Sequence, residues 1–527
     1  MATKTPAELI AQLQAGYTFA GSSIALGAAM VDGGIHPEAQ VSLPLAMMNR
    51  HGLVAGATGT GKTVTLHMIA EQLSSAGVPV FMADIKGDLT GLATAAEGSE
   101  KLTARTQALG QQWESKAFPV EFLALGGNGN GVPVRATITS FGPILLARVL
   151  DLNETQESSL QLVFHYADTK GLELYDLKDL RAVVQFLSSN EGKEDLAELG
   201  GLSKATAGVI LRNLITLDAQ GMGEFFGMPE FDTAELLRTA TDGRGVITCL
   251  ELPSIQDKPL LFSTFLMWLL ADLFRDLPEV GDLDKPKLVF FFDEAHLLFN
   301  GASKAFLNAI TQTVRLIRSK GVGIFFVTQT PKDVPADVLA QLANRVQHAL
   351  RAFTPEDAKA LKATVSTFPI NSYDLEEVLT NAGIGEAVVT VMNENGAPTP
   401  VALTRLRAPG SLMGPSSEDT VKAVIAASAL LPAYGTAVDP VSAFEKLQTP
   451  AAPPPSTGPA VGTPPPPPPP ASLPAPNNDG TMASDMIGAL GGALGGGLKS
   501  MVRSMGSSLG RNLMRDIFGT APRKRRR

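Results

Sequence analysis

A glycine-rich stretch early in the chain has the residue types and spacing of a phosphate-binding P-loop. It follows the apolar run Leu53-Val-Ala and precedes a helical pattern over 62–75. Glycines let backbone N–H groups turn inward around phosphate oxygens, and a helix N-terminus adds positive potential. The residues expected to surround a nucleotide are Gly56, Ala57, Thr58, Gly59, Thr60, Gly61, Lys62 and Thr63. Lys62 is expected to contact the β- and γ-phosphates, and the Thr63 hydroxyl to ligate Mg²⁺.

Two adjacent carboxylates end a second apolar run. Leu288-Val-Phe-Phe-Phe is followed directly by Asp293 and Glu294. Asp293 is expected to hold the Mg²⁺ shell, and Glu294 to polarise an attacking water as a general base. An acidic residue directly after the metal-associated aspartate favours an enzyme that hydrolyses a nucleotide over a kinase.

Other polar residues are expected at the same crevice, because neighbouring parallel strands present their C-terminal ends together. Gln329 follows the apolar strand pattern at 323–327 and is expected to sense the γ-phosphate or to orient the water. Asp84-Ile-Lys-Gly-Asp88 follows another apolar run, Val78-Pro-Val-Phe-Met-Ala. Two interpretations of it stay open: a support for the metal shell or a moving loop, and a simple glycine turn.

Ring ATPases often use an arginine from a neighbouring subunit to stabilise transition-state charge. The candidates are Arg315, Arg318, Arg345 and Arg351. We favour Arg318 and Arg345, and a surface ion pair is the alternative for each.

The elements that must position these residues predict an α/β fold. Strand patterns alternate with helical patterns, which indicates a mostly parallel sheet covered on both faces. The predicted divisions are 1–94 (N-terminal segment and first part of the ATPase core), 95–240 (a mostly helical insertion), 241–410 (second part of the core), 411–449 (a helical extension), 450–479 (a disordered Pro-rich linker) and 480–527 (a basic amphipathic tail).

Composition excludes several classes. The single cysteine, Cys249, excludes a disulfide framework and a cysteine-based metal site, and we expect it to be buried. Six histidines without ligand spacing predict no zinc site. No apolar run is long enough to span a bilayer, and the start has no apolar signal core, so we expect a cytoplasmic protein.

Charge is unevenly distributed along the chain. The net charge is −9, but from Lys499 onward nine lysines or arginines and one aspartate give +8, which leaves −17 elsewhere. An apolar stripe also runs through this tail, with Leu490 and Ile517 at its ends. Three interpretations stay open: binding to DNA phosphates, to an anionic membrane surface, or to the acidic body or another subunit.

The motifs resemble those of the HerA/FtsK superfamily of DNA-pumping ATPases. The resemblance lies in His51-Gly-Leu-Val-Ala-Gly-Ala-Thr-Gly-Thr-Gly-Lys-Thr, Phe292-Asp-Glu-Ala-His and Arg318-Ser-Lys-Gly-Val-Gly-Ile-Phe-Phe-Val-Thr-Gln-Thr-Pro. The segments that start Val132-Pro-Val-Arg-Ala and Leu152-Asn-Glu-Thr-Gln resemble a bacterial branch described as HerA-helicase-like NTP hydrolases.

This resemblance covers roughly residues 20–410 and implies a RecA-like core that forms a hexameric ring. It gives the roles described above to Lys62, Thr63, Asp293, Glu294 and Gln329. Arg318 matches the basic position before the glutamine-bearing strand. ATP in preference to GTP, and DNA as the track, are also implied by the resemblance. The short chain before the P-loop, the proline linker and the basic tail depart from the family pattern.

We therefore expect an ATP-hydrolysing, Mg²⁺-dependent motor of the HerA/FtsK type, acting as a ring that translocates or remodels DNA. One alternative is a type IV secretion-like ATPase that moves protein cargo at a membrane. Another is a slow nucleotide-dependent switch, against which the general base Glu294 argues.

Overall fold

The strands supply the frame of the molecule. The computed structural model describes residues 5–196, 200–255, 258–299 and 304–448. The strands in these ranges are β1 (Ser23–Val31), β2 (Gly34–Pro44), β3 (Gly52–Ala55), β4 (Val80–Asp84), β5 (Val120–Leu125), β6 (Val132–Val134), β7 (Ile247–Glu251), β8 (Leu288–Phe292), β9 (Val322–Thr328), β10 (Asn344–Gln347), β11 (Glu386–Thr390) and β12 (Ala402–Leu406).

Within the described residues, twelve strands form one sheet in the order β2-β1-β12-β11-β10-β3-β9-β8-β4-β7-β5-β6. The run from β10 to β6 is parallel throughout. The strands from β11 to β2 extend it as an antiparallel sheet. The predicted α/β class with a mostly parallel sheet is confirmed.

Helices cover the sheet and form a separate group beside it. They are α1 (Pro6–Gly16), α2 (Lys62–Ser75), α3 (Glu100–Ala108), α4 (Ile138–Val149), α5 (Glu154–Lys170), α6 (Leu177–Ser188), α7 (Asn190–Asp195), α8 (Lys204–Ala219), α9 (Pro259–Asp276), α10 (His296–Phe299), α11 (Lys304–Ile317), α12 (Ala336–Leu339), α13 (Pro355–Val365), α14 (Leu375–Asn381), α15 (Glu418–Ala426), α16 (Leu431–Tyr434) and α17 (Ala443–Gln448).

The stretch 95–240, predicted to be mostly helical, is more mixed than its pattern indicated. Helices α4 to α8 lie within it, but β5 and β6 also do, and they extend the parallel sheet at its edge. The strand β7, which pairs with β5, follows more than a hundred residues later in the chain, so local periodicity gave no sign of the pairing. The division of the chain into domains remains a prediction.

The central strands are apolar because both of their faces are covered. Phe290, Phe291 and Phe292 of β8 are all essentially inaccessible, as is Phe325 of β9. Near-continuous apolar runs are typical of parallel strands buried on both faces. This packing fixes the strand ends, where the polar site residues begin.

A segment after β12 fastens the helix that follows the P-loop. Glu71 of α2 accepts hydrogen bonds from the backbone N–H groups of Gly410 (2.8 Å) and Ser411 (2.9 Å). Further along, the Ser416 N–H donates to Thr90 Oγ1 at 3.0 Å. Residues 408–416 therefore tie α2 to the loop after β4.

The described residues up to Lys446 form one compact unit. The proline linker, the apolar stripe and the basic cluster predicted for 450–527 lie outside the described residues. Within the described ranges, each helix is too short or too polar to cross a bilayer. Cys249 is buried in β7, as expected.

Candidate nucleotide site

The P-loop joins β3 to α2 and has the shape that its glycines allow. Gly61, at the start of α2, has a φ of 106°, which a side chain rarely adopts. Gly56 is required for a different reason, since a Cβ there would lie 2.4 Å from the Cβ of His348. The loop therefore keeps its backbone exposed on one side while packing closely on the other.

Lys62 lies folded over the loop. Its Nζ donates hydrogen bonds to the carbonyl oxygens of Gly56 (2.8 Å) and Ala57 (3.2 Å). Burial lowers the pKa of Lys62, while the charges of Glu294 and Asp293 oppose that shift. The ammonium group is thus held over the cradle where phosphate oxygens are expected.

Strand order brings the two acidic residues to the P-loop. β9 lies between β3 and β8, and Thr328 of β9 pairs with Ala55, the last residue of β3. Phe292 of β8 pairs with Phe326, so Asp293 and Glu294 follow at the level of the P-loop. The Ala295 N–H donates to the Val327 carbonyl at 2.8 Å and continues this alignment. The structure therefore brings together Lys62, Thr63, Asp293 and Glu294.

The acidic residues fit a divalent cation. Thr63 Oγ1 lies 3.4 Å from Asp88 Oδ2. Within the described residues, Asp88 Oδ1 and Asp293 Oδ2 are buried without a hydrogen-bond partner. Burial raises the pKa of Asp293 to about 6, against a hydrogen bond from the Glu294 N–H and the charge of Lys86. Hard oxygen ligands that lack partners suit Mg²⁺, so Thr63, Asp293 and Asp88 are the residues that would hold it.

Glu294 is held by two neighbours. Lys86 Nζ donates to Glu294 Oε1, and His296 Nδ1 lies 3.2 Å from Oε2. Burial favours a higher pKa for Glu294, but the hydrogen bond and charge of Lys86 leave the pKa below its ordinary value. The carboxylate is therefore ionised and paired with Lys86 at Oε1, while Oε2 is buried without a hydrogen bond from the described part of the chain.

Two more carboxyl groups, those of Asp84 and Glu251, lie at the ends of strands β4 and β7, at the same level of the sheet as Asp293. Asp84 pairs in register with Glu251 on β7, and its strand neighbour Ala83 pairs with Phe292. Asp84 accepts hydrogen bonds from the N–H groups of Gly87 (2.7 Å) and Leu89 (2.9 Å). Burial raises the pKa of Asp84 to about 7 and that of Glu251 to about 8. Asp84 shapes the turn that carries Lys86 and Asp88.

The remaining predicted residues are spread around the sheet. Gln329 is exposed directly after β9, level with Gly56. Arg318 is exposed in the turn before β9. The seven residues of β9, at about 3.3 Å each, separate it by roughly 20 Å from the end of the strand where Gln329 lies. Arg345 of β10 donates to the Thr367 carbonyl (3.3 Å) and hydroxyl (2.5 Å) of its own chain. Arg345 is in register with Leu53, three residues before Gly56, but its side chain is bound to Thr367.

Sequence reasoning gave no individual role to three residues that the structure places at the site. Lys86 was visible only as part of the segment 84–88, and its partner Glu294 is distant in sequence. Glu251 is the last residue of β7 and His348 directly follows β10, and their residue types alone carried no signal. Only the strand order places them beside the P-loop and Asp84.

The fold and the site define a P-loop NTPase with one additional strand, β9, between the P-loop strand and the acidic strand. The family described as Helicase HerA-like C-terminal matches residues 32–527. The chain belongs to this family, which confirms the resemblance to the HerA/FtsK type of motor ATPases noted in the sequence.

Solved structures with a similar fold include the bacterial conjugative coupling protein TrwBdeltaN70 (15% identity, TM-score 0.47, 77% of this chain and 95% of that chain). TrwB in complex with ADP and Mg²⁺ has 15% identity and a TM-score of 0.49, with 75% and 97% covered. VirB4 of Thermoanaerobacter pseudethanolicus has 16% identity and a TM-score of 0.46, with 74% and 97% covered. A search of curated protein sequences finds no match. The family assignment rests on the sequence match alone.

Proposed function

We propose that this protein hydrolyses ATP with Mg²⁺ and couples hydrolysis to movement along DNA. The active form is proposed to be a ring of six subunits, as the family resemblance implies. The observation that carries the proposal is the arrangement of Lys62, Thr63, Asp293 and Glu294 at the C-terminal ends of the parallel strands. A buried carboxylate next to a metal-binding aspartate has a task in hydrolysis and little use in nucleotide binding alone.

The chemistry follows from the positions of these groups. The P-loop N–H groups and Lys62 bind the phosphates, and Mg²⁺, when bound, offsets the charge of the phosphate oxygens. Glu294 accepts the proton of the attacking water while the bond from the γ-phosphorus to the bridging oxygen breaks. ADP leaves with the electron pair of that bond, and inorganic phosphate is the second product. Gln329 is proposed to orient the water.

The first test is the steady-state ATPase rate with and without double-stranded and single-stranded DNA, with Lys62→Ala as the blank. We expect several-fold stimulation that declines with salt, because contacts to the DNA backbone are electrostatic. Glu294→Gln should lower the rate by about a hundredfold or more. GTP measured in parallel tests the preference for ATP.

Indifference to DNA would leave the ATPase assignment intact and remove the DNA motor. The remaining candidate is then a secretion-type ATPase with protein cargo at a membrane. Removal of residues 480–527, followed by flotation with anionic liposomes, tests that candidate. Equal flotation of the full and the shortened chain contradicts membrane binding by the tail. A rate no higher than that of Lys62→Ala would overturn the proposal as a whole.

A further inference from the structure

The ion pair between Lys86 and Glu294 occupies the group that must act as the base. Lys86 Nζ donates directly to Glu294 Oε1. The Glu294 side chain is 8% exposed and that of Lys86 is 45% exposed. A carboxylate oxygen that accepts a hydrogen bond from an ammonium group is less able to take a proton from water. One of the two oxygens of the base is therefore occupied by Lys86, while Oε2 is buried without a hydrogen-bond partner among the described residues.

The turn that carries Lys86 is itself fixed. The Asp84 carboxylate accepts hydrogen bonds from the N–H groups of Gly87 and Leu89 and so closes the turn that contains Lys86. The same turn ends at Asp88, whose carboxylate lies 3.4 Å from the Thr63 hydroxyl. One short turn thus links the P-loop helix to the base.

The backbone of Glu294 is also held in an unfavourable conformation. Its φ is 46°, in the left-handed region that is unfavourable for a residue other than glycine. The Glu294 N–H donates to Asp293 Oδ1 at 2.8 Å, and the side chain is held by Lys86. Strained residues at an active site persist only where their surroundings hold them. Release of the ion pair would remove one of these restraints.

We infer that Lys86 is a positioning residue that holds Glu294 in a resting state, and that turnover requires this ion pair to open. The inference rests on the proposed function, since hydrolysis is what gives Glu294 a task. Both lysines of the site are bound to protein acceptors: Lys62 to P-loop carbonyls and Lys86 to Glu294. The pair between Lys86 and Glu294 persists when ATP binds without DNA, so it limits the basal rate at saturating ATP.

The test compares the wild type with Lys86→Met and Lys86→Arg in the absence of DNA. We expect Lys86→Met to raise the basal kcat several-fold with an unchanged KM for ATP, because the base is no longer occupied. Lys86→Arg keeps the charge and should stay near the wild-type rate. Glu294→Gln and the double variant Lys86→Met/Glu294→Gln should be equally inactive, because the gain needs the base.

A matched control is Lys285→Met. Lys285 donates to the Ala76 carbonyl at 2.8 Å, at the far end of α2, and its loss should leave kcat unchanged. Melting temperatures check that all variants fold.

Two results would overturn the inference while leaving the proposed function in place. One is a Lys86→Met rate equal to wild type, and the other is a Lys86→Met rate as low as that of Glu294→Gln. A wild-type rate equal to that of Lys62→Ala overturns both proposals.

Discussion

Thr65 and His348 meet beneath the P-loop, with Thr65 Oγ1 2.9 Å from His348 Nε2. His348 is fully buried, and its backbone N–H donates a hydrogen bond to the Ala55 carbonyl at 2.7 Å. Burial and the charge of Lys62 lower the pKa of His348 to about 4, so the imidazole is neutral at physiological pH. The side chain fills the space that the absent Cβ of Gly56 leaves open. This contact supports the loop from the side opposite to the expected phosphates.

Replacement of His348 by alanine should therefore affect nucleotide binding as well as stability. Loss of a buried hydrogen bond and the resulting cavity should lower the free energy of unfolding by about 2 kcal/mol. A loop without its support should raise the KM for ATP several-fold, with a smaller change in kcat. Chemical denaturation and steady-state kinetics measure the two effects.

His67 offers the matched control for that variant. His67 is fully buried on α2, the helix that also carries Thr65. Its Nδ1 lies 3.3 Å from Ser411 Oγ, away from the P-loop. His67→Ala should lose stability with an unchanged KM. An equal rise of KM in both variants would show that His348 has no specific role at the P-loop.

The buried carboxyl pair Asp84 and Glu251 predicts a stability that depends on pH. Burial, with the neighbouring Asp84 charge, raises the Glu251 pKa from 4.5 to about 8. Between these pH values the unfolded chain ionises this group while the folded chain keeps the proton, so folding loses free energy as pH rises. Glu251→Gln cannot ionise, and it should exceed the wild type in stability by about 2–4 kcal/mol above pH 8. The difference should vanish near pH 4, and denaturation across pH 4–8.5 measures it.

Glu121 distinguishes this effect from a general effect of removing a buried carboxylate. It lies on the neighbouring strand β5 and is paired with Arg238 at 2.8 Å. Glu121→Gln breaks a buried pair and should destabilise the protein at pH 8. A Glu251→Gln variant that is also less stable at pH 8 would contradict the expected proton on Glu251.

The sequence predicted the parts of the site that consist of consecutive residues in a recognisable motif. The P-loop and the pair Asp293–Glu294 follow strands whose apolar runs are plain in the sequence, and the fold class and the family are confirmed. The prediction that Gln329 orients water remains open. The sequence did not predict the contacts between segments that are distant in the chain, which are Lys86 with Glu294 and His348 with Thr65. These depend on which strands become neighbours, and that order is set by packing over the whole sheet.

Asp293 predicts competition between Mg²⁺ and a proton. Because burial raises its pKa to about 6, the carboxyl group binds a proton below that pH and must release it to bind the metal. The apparent Mg²⁺ affinity should fall by roughly tenfold for each pH unit below about 6. Mg²⁺ titrations with a fluorescent ATP analogue from pH 5 to 7.5 measure this slope.

The phosphates of the analogue titrate in the same range, so Asp293→Asn serves as the reference for the Mg²⁺ titrations. The asparagine variant should bind Mg²⁺ more weakly at pH 7.5 and show a shallower dependence on pH. Parallel slopes in the two proteins would show that Asp293 does not exchange a proton for the metal.

The positions of the arginines predict which subunit each one serves. Arg318 lies at the edge of the sheet opposite its own P-loop, and Arg345 is bound to Thr367, so we expect Arg318 to act on a neighbour's nucleotide. Arg318→Ala should lower kcat on the order of 10³-fold while nucleotide binding persists. Arg315→Ala, which removes an exposed arginine from the same helical region, should have little effect.

Mixing two inactive variants separates action between subunits from action within one. Lys62→Ala subunits lack a working P-loop but keep Arg318, and Arg318→Ala subunits have the reverse defect. In a mixed ring, some interfaces combine the intact P-loop of one subunit with the arginine of the other, so turnover should rise above the sum of the separate rates. If Arg318 served its own chain, every subunit would remain defective and no activity would return. The mixture measured at constant total protein therefore decides between the two arrangements.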